Sequence, residues 1–169
     1  ERVEEERKRR NPRSRSLTRP DEGSVSLESV QIRVVDRTGR CQIVPRLEAV
    51  AAEAFPRCVE RQRLSGRPDF SDEVEVTLVD DPTIAKVHLD FMKVPGPTDV
   101  ITFLHGEILI SLDTADRQAV EFGNDPSRET ALYMIHGFLH LLGYEDHEPD
   151  AAAMMARAQE AVLEMVWPV

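Results

Sequence analysis

Cysteine is nearly absent from this 169-residue chain, which holds only Cys41 and Cys58. The two form no CxxC pair and no zinc-ribbon spacing, so a thiolate metal cluster and a dithiol redox motif are both excluded. They are expected to be reduced, packed thiols of a cytoplasmic protein, with a disulfide between them as the alternative. Long apolar runs are missing too, and none approaches the ~20 residues that a membrane-spanning helix needs. The opening Glu1-Arg-Val-Glu-Glu-Glu6 lacks the apolar segment of a secretion signal, and a start on Glu instead of Met is expected of a trimmed chain. Internal repeats and low-complexity domains are absent. What remains is a length suited to one domain with a real hydrophobic core.

Charge is unevenly divided. Residues 1–20 carry eight Arg or Lys against four Glu, a net +4, so within a whole-chain charge of −10 the remainder carries −14. A body this acidic repels phosphate backbones at long range. The basic run Lys8-Arg9-Arg10, with Arg13, Arg15 and Arg19, could offset that repulsion locally as an RNA arm. Its composition fits a solvated, disordered tail better. Residues 1–26 are therefore expected to be a disordered charged tail, and 27–169 the folded domain.

Within the domain, Val30–Val35 alternates as a strand, and residues 46–64 have helical spacing with Pro56 a kink or interruption. Val74–Val79 reads as a strand, and Asp80-Asp81-Pro82 opens a helix running to about Lys93. Two short strands follow, Asp99–Leu104 and Glu107–Ser111, and the short gap between them favours antiparallel pairing. Helices are expected over Leu112–Phe122, from Asp125-Pro126 onward, and over Asp150–Val166, where Met154, Met155 and Met165 have core-like spacing. Interleaved strands and helices with one adjacent strand pair predict an α+β domain, a small mixed sheet of about four strands packed against helices.

The chemistry lies in His136-Gly-Phe-Leu-His140-Leu-Leu-Gly143-Tyr-Glu-Asp146-His147. Two histidines four apart on a helix share one face, so both imidazoles can reach one metal ion at the end of that helix. Gly143 can end the helix and turn the chain back, bringing Asp146 or His147 toward the same point. Three N/O ligands leave a position open, which is the pattern of a catalytic zinc and points to a metal-assisted hydrolase. Zinc peptidases place a general-base Glu directly after the first His. Here that place is held by Gly137, which argues against peptide hydrolysis.

Three stretches together resemble the YbeY family of bacterial metal-dependent endoribonucleases that act on ribosomal RNA. Pro97-Thr-Asp-Val-Ile-Thr-Phe103 is similar to its PTDVLSF segment, and Gly106-Glu-Ile-Leu-Ile-Ser111 with Arg117-Gln-Ala119 to its GDIxIS…RQA segment. His136-Gly-x-Leu-His-Leu-Leu-Gly-Tyr144 is similar to its HGxLHLxGY signature. The resemblance implies a single-strand-specific, metal-dependent endoribonuclease of ribosomal RNA maturation and ribosome quality control. It further implies one Zn²⁺ per chain, and as partners ribosomal RNA and the ribosome or its assembly intermediates, with neither membrane nor DNA. The competing readings are a metzincin-like metallopeptidase and a non-catalytic assembly factor whose metal is structural.

Two departures from the family matter. The family's third ligand is a His six residues after the second, a position that here holds Asp146, with His147 one further on. Downstream, Ala152 and Met155 keep the family's distances without a gap, which favours Asp146; a one-residue bulge would present His147 instead. The candidate metal ligands are thus His136, His140 and either Asp146 or His147. Many family members also carry an RNA-handling Arg where this chain has Met92, with Lys93 adjacent. No general base is assigned: Glu145, Asp146 if unligated, and His147 all lie near the turn. Thr98, Asp99 and Arg117 are weaker candidates, for the cleft lining and for a phosphate contact.

Overall fold

The structure is a computed structural model that describes residues 26–168, so the expected N-terminal tail, 1–26, lies outside the described residues except for Ser26. After a single 3-10 turn, the chain runs β1 (Gln31–Asp36), α1 (Val44–Val59), β2 (Glu73–Val79), α2 (Asp81–Met92), β3 (Val100–Phe103) and β4 (Glu107–Ser111). Three helices close it: α3 (Leu112–Phe122), α4 (Pro126–Leu141) and α5 (Pro149–Val166). The sheet is mixed and four-stranded in the order β1-β2-β4-β3. The helical crossovers leave β1, β2 and β4 parallel, while the short link to β4 makes β3 its antiparallel edge partner. This is the α+β architecture that the sequence pattern predicts.

The helix starts follow from their caps. Asp80 accepts the Thr83 N–H at 3.0 Å, Ser111 that of Thr114 at 3.2 Å, and Asp125 that of Ser127 at 2.6 Å. Accepting the Ser127 N–H holds the Asp125 carboxyl below its ordinary value of 3.8, with burial opposing. Because the folded value is depressed, the cap's contribution is complete above 3.8 and is lost as pH falls through the folded value. Asp125→Ala is accordingly expected to cost about 1 kcal/mol at neutral pH and little in strong acid, read from denaturant midpoints at the two conditions.

Helix α1 is shorter than its spacing predicts, ending at Val59 instead of running to Leu64. Pro56 does not interrupt it; it stands in the last turn, where the missing N–H removes a single bond. Residues 61–64 leave the helix to meet the C-terminal end of α4. Helix α4 is the central element. Its Met134, Ile135, Phe138 and Leu139 are at most 1% exposed, and burying each such side chain is worth roughly 1.5–3 kcal/mol. It packs against α1, α3 and α5, and along β3 and β4. Met155 joins this core, but Met165 is 50% exposed although Val162, Leu163 and Trp167 on either side of it are buried. Both cysteines are free, and burial pushes the Cys58 thiol up to about 12, where it is inert packing. No helix among the described residues is long and apolar enough to cross a membrane.

Candidate metal centre

Packing against β4 fixes how α4 is turned. Gly137 is buried, and a Cβ there would lie 2.8 Å from both Cδ1 and Cγ2 of Ile108. Gly137 is pressed on the sheet, while His136 and His140 stay only partly buried, each with a side chain 24% exposed. Where zinc peptidases keep their glutamate, this molecule has no room for a side chain.

Gly143 then reverses the chain. Its φ of +94° suits glycine, and the Tyr144 N–H returns to the Leu139 carbonyl at 3.0 Å. The residues after α1 brace this turn. The Arg63 N–H donates to the Leu142 carbonyl at 2.8 Å, the Tyr144 hydroxyl donates to the Arg61 carbonyl at 3.0 Å, and the Arg63 guanidinium lies 5.8 Å from the Tyr144 ring centre. So held, the chain carries Asp146 back over the histidines. Asp146 Oδ2 is 3.5 Å from Nε2 of His136 and 3.5 Å from Nε2 of His140, and the two Nε2 atoms are 3.0 Å apart.

The hydrogen bonds on the far side of each ring decide what these atoms present. His140 Nδ1 is 3.1 Å from the Tyr144 carbonyl oxygen, which can only accept, so the proton of the neutral ring sits on Nδ1 and Nε2 offers a lone pair. Burial, then the neighbouring His136, hold His140 below the ordinary imidazole range, while Asp146 pulls the other way. The neutral, ligating form is thereby favoured. Lone pairs converging this closely repel one another unless a cation or a ring proton stands between them. Two imidazole nitrogens and a carboxylate oxygen are a sound donor set for a divalent metal, and His136, His140 and Asp146 could hold one. Among the described residues no fourth donor belongs to this group. His147 is exposed and outside it.

A cleft of about 500 Å³ opens beside His136, bordered by Asp99, Arg128, Glu129, Tyr133 and Gln159. Glu129 is 3% exposed and accepts from Asn124 at 2.7 Å. Burial first, then the nearby Asp99 and Glu129 charges, push the Tyr133 hydroxyl above its ordinary range, so it stays protonated. Asp99 thus does border the cleft, although its carboxylate also accepts the Val100 N–H at 2.8 Å, which is turn chemistry. Arg117 is engaged elsewhere: it pairs at 2.5 Å with Asp81, whose carboxylate also accepts from Ser111 and Thr114. Met92 is exposed, and Lys93, the left-handed cap of α2, donates to the Asp90 carbonyl at 2.8 Å. His88 contacts the Gly96 carbonyl and His105 stacks on Phe103, each apart from the cluster. Tyr133, Glu129 and Gln159 went unread in the sequence, because nothing in their local spacing separates them from ordinary helix-surface residues.

The family model described as "Endoribonuclease YbeY" matches residues 34–166. Among proteins carrying that name, one from Moorella thermoacetica is 41% identical over 110 residues, covering 54% of this chain and 70% of its own length. Another, from Protochlamydia amoebophila, is 39% identical over 99 residues, covering 52% and 66%. A third, from Desulfitobacterium hafniense, is 36% identical over 112 residues, covering 56% and 71%. A Thermotoga maritima protein solved in solution shares the fold at a TM-score of 0.56 and 28% identity, covering 80% of this chain and 89% of its own. With most of its length matched by that family model, and the histidine pair lying inside the match, the chain belongs to the YbeY endoribonuclease family.

Proposed function

We propose that this protein is a single-strand-specific, metal-dependent endoribonuclease acting in ribosomal RNA maturation and ribosome quality control. Its partners are ribosomal RNA and the ribosome or its assembly intermediates. The observation that carries the reading is the convergence of two imidazole nitrogens and one carboxylate oxygen within 4.8 Å, on a face that solvent reaches. Zn²⁺ held by His136, His140 and Asp146 would supply a Lewis acid for an RNA phosphodiester, or lower the pKa of water at the site. Asp146, not His147, is the third ligand in this reading, because the turn at Gly143 aims the carboxylate at both rings. Glu145 and His147 flank it in sequence, both exposed, and are the candidates for the general base in this reading.

The metallopeptidase reading loses support at Gly137, where Ile108 fills the place of the base. The assembly-factor reading calls for a closed structural site, and a three-donor group with a 36% exposed Asp146 side chain favours an open one. The test is cleavage of a single-stranded ribosomal RNA fragment against its duplex form, before and after chelation. Cleavage confined to the single strand, lost on chelation and restored by Zn²⁺, is expected. His140→Ala is expected to lower it by at least about 100-fold, more than loss of an outer hydrogen-bond partner costs. Cleavage indifferent to chelation would end the proposal. Removing residues 1–20 is expected to leave RNA affinity at moderate salt unchanged, as a solvated tail would; a clear loss would make that segment an RNA arm.

A further inference from the structure

The two histidines are held from behind in different ways. His140 is fixed by a backbone carbonyl of the turn that follows it. Among the described residues the His136 ring has no backbone partner, and its Nδ1 lies 2.9 Å from the side-chain oxygen Oε1 of Gln159, on α5 and 23 residues away. Gln159 is partly buried and borders the same cleft as His136.

We infer that Gln159 is the positioning residue of the metal centre: by accepting the Nδ1 proton of His136, it keeps that proton off Nε2, the atom that faces His140 and Asp146. The inference rests on the metal reading above. A free neutral imidazole prefers its proton on Nε2. Were His136 to follow that preference, its Nε2–H would point at the lone pair of His140 Nε2, 3.0 Å away, and donate to it. The pair would then be closed by its own hydrogen bond, with the remaining lone pair of His136 on Nδ1, turned toward Gln159 and away from His140. Gln159 thus decides between a self-satisfied histidine pair and one open to metal. A neutral amide does this less firmly than a carboxylate, because it can rotate and offer its NH₂ to a bare Nδ1. Gln159→Glu, which can only accept when ionised, is therefore expected to hold the tautomer at least as well.

The experiment compares the full chain with Gln159→Leu and Gln159→Glu. In the metal-stripped proteins at mildly alkaline pH, two-bond nitrogen–proton correlations of the His136 ring report which nitrogen carries the proton. Wild type and Gln159→Glu are expected to carry it on Nδ1, and Gln159→Leu to move it to Nε2, with His140 unchanged in all three. Zn²⁺ affinity, measured by competition with a chelator, is expected to fall about 10- to 100-fold in Gln159→Leu and to be kept or tightened in Gln159→Glu. A Gln159→Leu variant that keeps the Nδ1 proton, or binds Zn²⁺ as wild type does, would overturn the inference. If wild type itself takes up no Zn²⁺, the metal reading fails, while the tautomer comparison still decides whether Gln159 governs His136.

Discussion

Gly137→Glu is expected to yield an unfolded or barely folded chain, with no gain of peptidase activity. A Cβ alone would sit 2.8 Å from two carbons of Ile108, and inserting one methyl group into a packed core costs about 1–3 kcal/mol. Alanine partly offsets this, since it is better in a helix than glycine by roughly 1 kcal/mol, so Gly137→Ala is expected to lose only about 0–2 kcal/mol. Glutamate adds a carboxylate against the sheet with no cation beside it, a further cost of several kcal/mol. The sum approaches the whole stability of an ordinary domain, about 5–15 kcal/mol. Soluble yield and denaturant midpoint read the outcome. A Gly137→Glu protein as stable as wild type would mean that α4 can turn on the sheet, and would reopen the peptidase reading.

Gly143→Ala is expected to cost about 2–5 kcal/mol and to weaken metal binding although no ligand is changed. Its φ of +94° lies where a Cβ is strained, at roughly 1–2 kcal/mol. A Cβ there would also meet backbone atoms, Arg63 C at 2.7 Å, its O at 2.8 Å and Leu64 N at 2.9 Å, adding about 1–3 kcal/mol because backbone gives way poorly. Relief requires the turn to part from residues 61–64, and the turn carries Asp146. Gly123→Ala is the internal control: its φ is +69° but nothing lies within 4 Å of the Cβ, so only the conformational cost is expected. Equal midpoints for the two variants would show that the brace on the turn contributes nothing.

These two glycines also mark how far the sequence could be read. Gly143 was legible as a helix-ending turn because a left-handed glycine after a periodic segment is a local signal. That Arg63 and Leu64 back onto it was not, because residues 61–64 continue the α1 pattern in sequence and leave it only to reach α4. Gly137 was legible as a missing base, while the reason for it, the side chain of Ile108, lies in a strand. Helical periodicity gives the faces of a helix but not which neighbour each face meets. The same gap hid Gln159, left Arg117 open as a phosphate contact when Asp81 engages it, and put Met165 in the core when it is half exposed. The ungapped register that favoured Asp146 over His147 agrees with the cluster the fold assembles, since both depend on the length of the turn.

The central claim is that His136, His140 and Asp146 hold the metal. Its most direct test is elemental analysis of zinc bound to wild type and to His136→Ala, His140→Ala, Asp146→Ala and His147→Ala, purified in parallel with each fold checked by circular dichroism. A single zinc ion per chain in wild type and His147→Ala, with its loss from the other three, is the expected result. Zinc retained by His140→Ala or by Asp146→Ala would contradict the account.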